Sequence, residues 1–128
     1  MMFRSLDFIY APSSSVEEEL SYYAQALGGE AVFSIRAFGT RVAAVRLAEG
    51  PMLLFAEHLK GEKPILIFRV DDFEQSIKTL RARGVRGQRL EIPHGPCFSF
   101  EAGGGQRLAI YELTRPDANA HFAGRFDP

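Results

Sequence analysis

The sequence predicts an α+β fold made of two βαβββ modules that share one core. Three observations lead there. The stretch from Ile65 to Gly84 reads as strand, turn, helix and stop. Its opening residues, 65–70, are mostly β-branched or aromatic. Asp71 and Asp72 are N-cap types, with Glu74 and Gln75 three residues beyond them in capping-box spacing. Phe73, Ile77 and Leu80 fall at i, i+4 and i+7, one helix face, and Gly84 suits the left-handed position that ends a helix. The same unit occurs earlier. A short strand at 8–11 precedes the N-cap types Ser14 and Ser15, with Glu17 and Glu18 three residues on. Val16, Leu20, Ala24 and Leu27 form the apolar stripe, and Gly28 closes it. Finally, residues 50–57 (GPMLLFAE) align with residues 105–112 (GQRLAIYE) without a gap. A supersecondary unit repeated in this way completes a shared core rather than two separate ones.

Taken in order, residues 5–11 form the first strand. Alternation places Leu6, Phe8 and Tyr10 on one face and Asp7, Ile9 and Ala11 on the other. The helix after Ser15 covers the Ile9 face and ends at Gly28-Gly29. Strands follow at 31–37, 41–47 and 52–56, with turns at 38–40 and 48–51. The polar segment before Pro64 links the halves. The second half repeats the order: strand from Ile65, helix from Asp72, a strand near 86–90, a loop at 93–96, a strand at 97–101, a glycine turn and a strand at 107–113. The expected organisation is a single domain, with module one at about 3–58, a linker at 59–63, module two at about 64–114 and a tail at 115–128. The tail reads as disordered; docking of Phe122 and Phe126 on a partner subunit is the alternative.

Bulk properties remove several functions. The chain has 128 residues, enough for one domain with a real core. A net charge of -1 gives no general electrostatic pull toward nucleic acid or acidic membranes. No apolar run reaches the length of a membrane span, and no apolar signal core follows Met1-Met2-Phe3-Arg4. Cys97 is the only cysteine, so no internal disulfide forms within the chain, which suits a reducing compartment. The expectation is a cytoplasmic protein with no nucleic-acid or membrane partner.

The repeated βαβββ pattern resembles the vicinal oxygen chelate superfamily, which holds glyoxalase I, extradiol dioxygenases, fosfomycin-resistance enzymes and bleomycin-resistance proteins. The resemblance runs from Ser5 to Thr114. Tyr22-Tyr23 and Leu27-Gly28 stand where that group often has Phe-Tyr and Leu-Gly. Residues 68–72 (FRVDD) resemble its strand-to-helix junction, and Gly105-Gln106-Arg107-Leu108 its Gly-Asn-Arg-Leu. The resemblance implies curled mixed sheets, one per module, that form a shared cleft. It also implies a divalent metal there, held by a His or Gln on each opening strand and a Glu on each closing strand. Those positions map onto Phe8, Leu54, Ile65 and Ala109, none of which can donate a lone pair. A shift of one residue brings in Asp7 or Pro64 but assembles no ligand set, because alternation moves such side chains to the other face. The expectation is therefore no metal and no cofactor, as in the bleomycin-resistance branch, which binds its ligand without chemistry.

If Phe8 faces the cleft, so do Tyr10, Leu54, Ile65, Ile67, Arg69, Arg107, Ala109 and Tyr111, along with Leu6, Met52 and Ala56. This mixture of apolar surface, two tyrosine hydroxyls and one or two guanidiniums suits an apolar or aromatic small molecule carrying one anionic group. A closed core filled by the same side chains is the competing reading. Other candidates have bland alternatives. His58, His94 and His121 read as solvated loop residues. His94 with Cys97 has no diagnostic nucleophile–base spacing, and Cys97 reads as a buried structural thiol. Glu57, His58 and Glu112 form a potential acid/base or displaced metal set, against a plain reading as charged strand ends. Gly103-Gly104-Gly105 lies between strands and reads as a hairpin turn rather than a phosphate loop.

Two functional classes follow: a metal-free binding protein, or a glyoxalase-like lyase, isomerase or dioxygenase with a displaced or absent metal centre. A homodimer is expected from the family and from the need to cover sheet edges.

Overall fold

A computed structural model describes residues 1–37 and 39–128. Phe38, in the turn expected at 38–40, lies outside the described residues. The elements are β1 (Phe3–Pro12), α1 (Val16–Ser21) with a π-helical turn at Tyr22–Ala26, β2 (Glu30–Ala37), β3 (Thr40–Arg46) and β4 (Met52–Ala56). Module two contributes β5 (Ile65–Val70), α2 (Phe73–Ala82), β6 (Gly87–Ile92), β7 (Gly95–Glu101) and β8 (Arg107–Tyr111), and the chain finishes through α3 (Ala118–Phe122). Among the described residues, no helix is long and apolar enough to cross a membrane.

The eight strands form one curled mixed sheet in the order β2-β3-β4-β1-β5-β8-β7-β6. Each module pairs its first strand with its last in parallel: Phe8 lies opposite Met52 in one, and Ile65 opposite Arg107 in the other. The two modules join through antiparallel pairing of β1 with β5. The strand order on either side of that seam is mirrored, as the internal repeat requires.

The helices start where the capping residues place them. Ser15 Oγ accepts the N–H of Glu18, and Asp72 Oδ1 accepts the N–H of Gln75. A second capping device is shared by the modules. Glu57 Oε2 accepts the N–H of Val16 at 3.0 Å, and Glu112 Oε1 accepts the N–H of Phe73 at 2.8 Å. The carboxylate that closes each module thus satisfies an otherwise orphaned donor at its helix N-terminus. Gly28 and Gly84, with φ of 74° and 86°, follow the two helical segments as expected.

The first helix departs from expectation. Regular α-helix stops at Ser21, and the widened turn at 22–26 moves later residues by one position. The inward stripe becomes buried Val16 with partly buried Leu20 and Tyr23, the Tyr23 ring 4.9 Å from that of Phe55. Leu27, expected in the stripe, is 45% exposed.

Among the described residues, three apolar clusters hold the fold. Val16, Ala43, Val45 and Phe55 lie under the first helix. Val70, Phe73, Ile77, Leu80, Phe98 and Ile110 lie under α2. The third cluster fills the concave side and draws on both modules, including Phe8, Phe33, Met52, Ile67 and Tyr111.

The tail is ordered, contrary to expectation. Arg115 ties to the β6–β7 hairpin, donating to Pro93 O and Ile92 O and pairing with Glu91. Phe122 sets its ring 5.6 Å from that of Phe33. Residues 124–127 then run beside β2: Gly124 N–H donates to Val32 O, Ser34 N–H to Arg125 O, and Asp127 N–H to Ser34 O. A non-local surface, the edge of β2, supplies order that the tail's own polar sequence does not indicate.

β7 starts at Gly95, two residues earlier than the sequence suggests. Gly95 adopts φ 155°, and a Cβ there would lie 2.0 Å from the Glu112 carbonyl oxygen. The missing side chain lets the hairpin close onto the end of β8. Gly95→Ala is expected to cost about 2 kcal/mol or more, read as a lower midpoint in urea unfolding. An unchanged midpoint would show that the hairpin shifts freely.

Candidate functional site

A bulge in β1 fixes the composition of the concave face. Leu6 pairs with Phe68 and Phe8 with Ile67, so Asp7 is an extra residue between them. Beyond it, Phe8 and Tyr10 share a face with Ile67 and Ile65. Leu6, expected beside Phe8, instead pairs with Phe68 on the opposite face. Asp7, expected on the helix side, turns toward the concave cluster. Its Oδ2 accepts the Tyr111 hydroxyl at 2.5 Å, and its Oδ1 accepts the Ser5 hydroxyl at 2.6 Å. Arg69 sits beside Tyr111 in the β5–β8 ladder. The concave face therefore has a polar end of Ser5, Asp7, Tyr111 and Arg69.

Strand register brings the nine expected cleft residues onto this face. Phe8, Ile65, Ile67, Ala109 and Tyr111 are buried in one cluster, and Tyr10 and Leu54 pack against it, partly buried. Arg69 and Arg107 are half-buried at the two ends of the same strip. The four positions where the resemblance places metal ligands carry Phe8, Leu54, Ile65 and Ala109, whose hydrocarbon side chains do not fit a divalent ion. Among the described residues, no three His, Cys, Asp or Glu side chains gather closely enough to share one.

Two tyrosines and the cysteine on this face are held in their neutral forms. Burial pushes the Tyr10 hydroxyl up to about 12. Burial, then the hydrogen bond to Asp7, pushes Tyr111 higher still. Burial raises the Cys97 thiol to about 11, which removes it as a thiolate nucleophile at neutral pH. The tyrosine hydroxyls are hydrogen-bond donors rather than proton-transfer groups. Glu57 and Glu112 are committed to the helix N-termini described above, not to an acid/base pair.

His94 was not legible as a cleft residue. Its ring lies 4.8 Å from Phe8 and 6.1 Å from Tyr111, and its Nε2 is 2.7 Å from Asn119 Oδ1 in α3. Nothing in its Pro-Gly loop marks this contact; only the pairing of β7 with β8 brings it in. His58 stands 6.1 Å from the Tyr10 ring, and His121 rests against Phe122 in the tail. The concave cluster is covered by Leu59, Ile92, Leu113 and Phe122.

The two modules join in one curled eight-stranded sheet. No protein-family model and no curated protein sequence matches the chain. Solved structures do. A methylmalonyl-CoA epimerase from Mycobacterium tuberculosis is 17% identical with a TM-score of 0.76, over 91% of this chain and 93% of that one. A Streptomyces coelicolor methylmalonyl-CoA epimerase in complex with 2-nitronate-propionyl-CoA is 14% identical with a TM-score of 0.73, over 88% and 96%. BphC, a halotolerant catechol dioxygenase, is 10% identical with a TM-score of 0.65, over 86% of this chain and 42% of that one. These are vicinal oxygen chelate proteins, and this chain has the fold of that superfamily.

The raised tyrosine and thiol values set a pH dependence. These groups ionise more readily unfolded, near 9–10. Their contribution to stability is complete below that range and is lost as pH rises from there through the folded values, about 11 for Cys97 and about 12 for Tyr10. Melting temperature is expected to be flat from pH 7 to about 9 and to fall above. Tyr111→Phe is expected to cost about 1 kcal/mol at pH 7 and to show a shallower alkaline decline. An equally steep decline in the variant would remove Tyr111 as a cause.

Proposed function

We propose that this protein binds a small apolar or aromatic molecule on its concave face without a metal. The observation that carries the reading is the set Phe8, Leu54, Ile65 and Ala109, hydrocarbon at all four positions where the resemblance places metal donors. The neutral Tyr10 hydroxyl supplies a hydrogen-bond donor, the Tyr111 hydroxyl, whose proton goes to Asp7, keeps only acceptor capacity, and Arg69 and Arg107 flank the apolar strip with positive charge. That combination favours a flat hydrophobic body with one anionic group. Ligand contacts fall to Phe8, Tyr10, Leu54, Ile65, Ile67, Arg69, Arg107, Ala109 and Tyr111. The epimerase structures give a precedent for an acyl-CoA ligand on this fold; no donor set here supports their being a guide to chemistry.

The rest of the reading concerns setting. A single buried cysteine suits the cytoplasm. We place the chain in a homodimer, since β6 is a largely exposed strand at the sheet edge. Static light scattering tests this; a strictly monomeric mass at micromolar concentration would refute it.

The test of binding uses 2-naphthoate and its neutral counterpart 2-naphthol, read by thermal shift and calorimetry. Both are expected to raise the melting temperature of the wild-type protein. Arg69→Ala is expected to weaken 2-naphthoate about tenfold and to leave 2-naphthol unchanged. No shift with either compound would count against the cleft reading.

A further inference from the structure

The tail meets the concave face through two side chains of α3. Asn119 and Phe122 are three residues apart, so they share a helix face. Phe122 adds an aromatic ring to the cluster at Phe33, and Asn119 presents an acceptor oxygen to His94 Nε2 at 2.7 Å. His94 in turn leans on Phe8 and Tyr111. A flat ring and a polar oxygen thus cover the face where the proposed ligand, itself a flat ring with a polar group, belongs.

The tail's attachments are uneven. Both its ends are held, the first through Arg115 on the β6–β7 hairpin. Arg41, a buried guanidinium, donates to Ser34 Oγ, Asp127 O and Pro128 O, and Arg36 N–H donates to Asp127 Oδ2. By contrast, α3 is five residues long, shorter than any helix stable by itself. The Asn119–His94 contact is exposed, the kind of hydrogen bond that contributes least. Gly124, with φ 81°, sits between the two parts. Such weakly held segments open first.

We propose that Asn119 and Phe122 are a built-in stand-in for the ligand. The ligand displaces α3, which lifts off as a short strap between Arg115 and Gly124 while Arg115 stays tied to the β6–β7 hairpin and residues 125–128 stay clamped to β2 and Arg41. His94 then takes the ligand's acceptor oxygen in place of Asn119. This rests on the cleft reading above and adds a ligand class: an aromatic body bearing a carboxylate or amide oxygen. It also adds His94 and Phe33 as recognition residues, and it makes apparent affinity depend on how often the tail is open.

The test uses the full chain with 2-naphthoate and 2-naphthamide. The Asn119→Ala, Phe122→Ala double variant is expected to bind both about tenfold more tightly than wild type. In the wild-type protein, either compound is expected to speed hydrogen exchange at the Ala123 amide, bonded within α3, and leave Ser34 and Asp127 slow. Asn119→Ala alone, at an exposed position, carries the same comparison if the double variant does not fold. Equal affinities with unchanged exchange would overturn the stand-in and leave the cleft reading intact. Weaker binding by the variants would overturn it as well, since the tail would then be helping to hold the ligand. No binding by any of the proteins would overturn both.

Discussion

The antiparallel seam between β1 and β5 carries the architecture. It turns two four-stranded modules into one curled sheet, and it decides which side chains meet on the concave side. Strand alternation makes that decision all or none: a slip of one residue would send the whole set to the opposite face. The bulge at Asp7 performs such a slip over part of β1. Phe8 and Tyr10 stay with the concave cluster, Leu6 leaves it, and a carboxylate arrives beside Tyr111 and Arg69. The polar end of an otherwise hydrocarbon face depends on one extra residue.

The modules use the same parts for support and different parts for surface. Ser15 and Asp72 cap the helices, and Glu57 and Glu112 reach back to the first helical N–H groups. These acids occupy matching places in the repeat and have matching structural work. Along the seam and its flanking strands, by contrast, the residues are chosen for hydrocarbon bulk. Burial keeps the two tyrosine hydroxyls protonated, which suits donation of hydrogen bonds and is poorly suited to proton transfer. Support and chemistry are thus separated: the carboxylates serve helices, and the concave face is left apolar with a polar rim.

The parts legible in the sequence are those set by local pattern. The caps, the helix stop at Gly84 and the strand at 52–56 follow from residue type and spacing. The repeat gave the parallel β1–β4 and β5–β8 pairings their equivalence. Three features were hidden because distant partners decide them. The bulge at Asp7 depends on how β5 pairs with β1, which alternation within β1 does not reveal. Tyr23, within the π-helical turn, packs on Phe55 of β4, a contact no local pattern announces. The tail's order depends on the free edge of β2 and on Arg41, eighty or more residues away in sequence. His94 reaches the concave cluster by the same route, through β7 lying beside β8. The candidate face was readable as a set of residues, while its polar end and its cover were not.

Phe8, Leu54, Ile65 and Ala109 put hydrocarbon at all four positions where the resemblance places metal donors. The direct measurement is calorimetric titration of the purified, tag-free and chelator-stripped protein with zinc, nickel, manganese and iron(II). No stoichiometric site tighter than about millimolar is expected, since Phe8, Leu54, Ile65 and Ala109 offer no donor atoms. One tightly held ion per chain would contradict that expectation, and would mean that donors outside those four positions assemble a centre on binding.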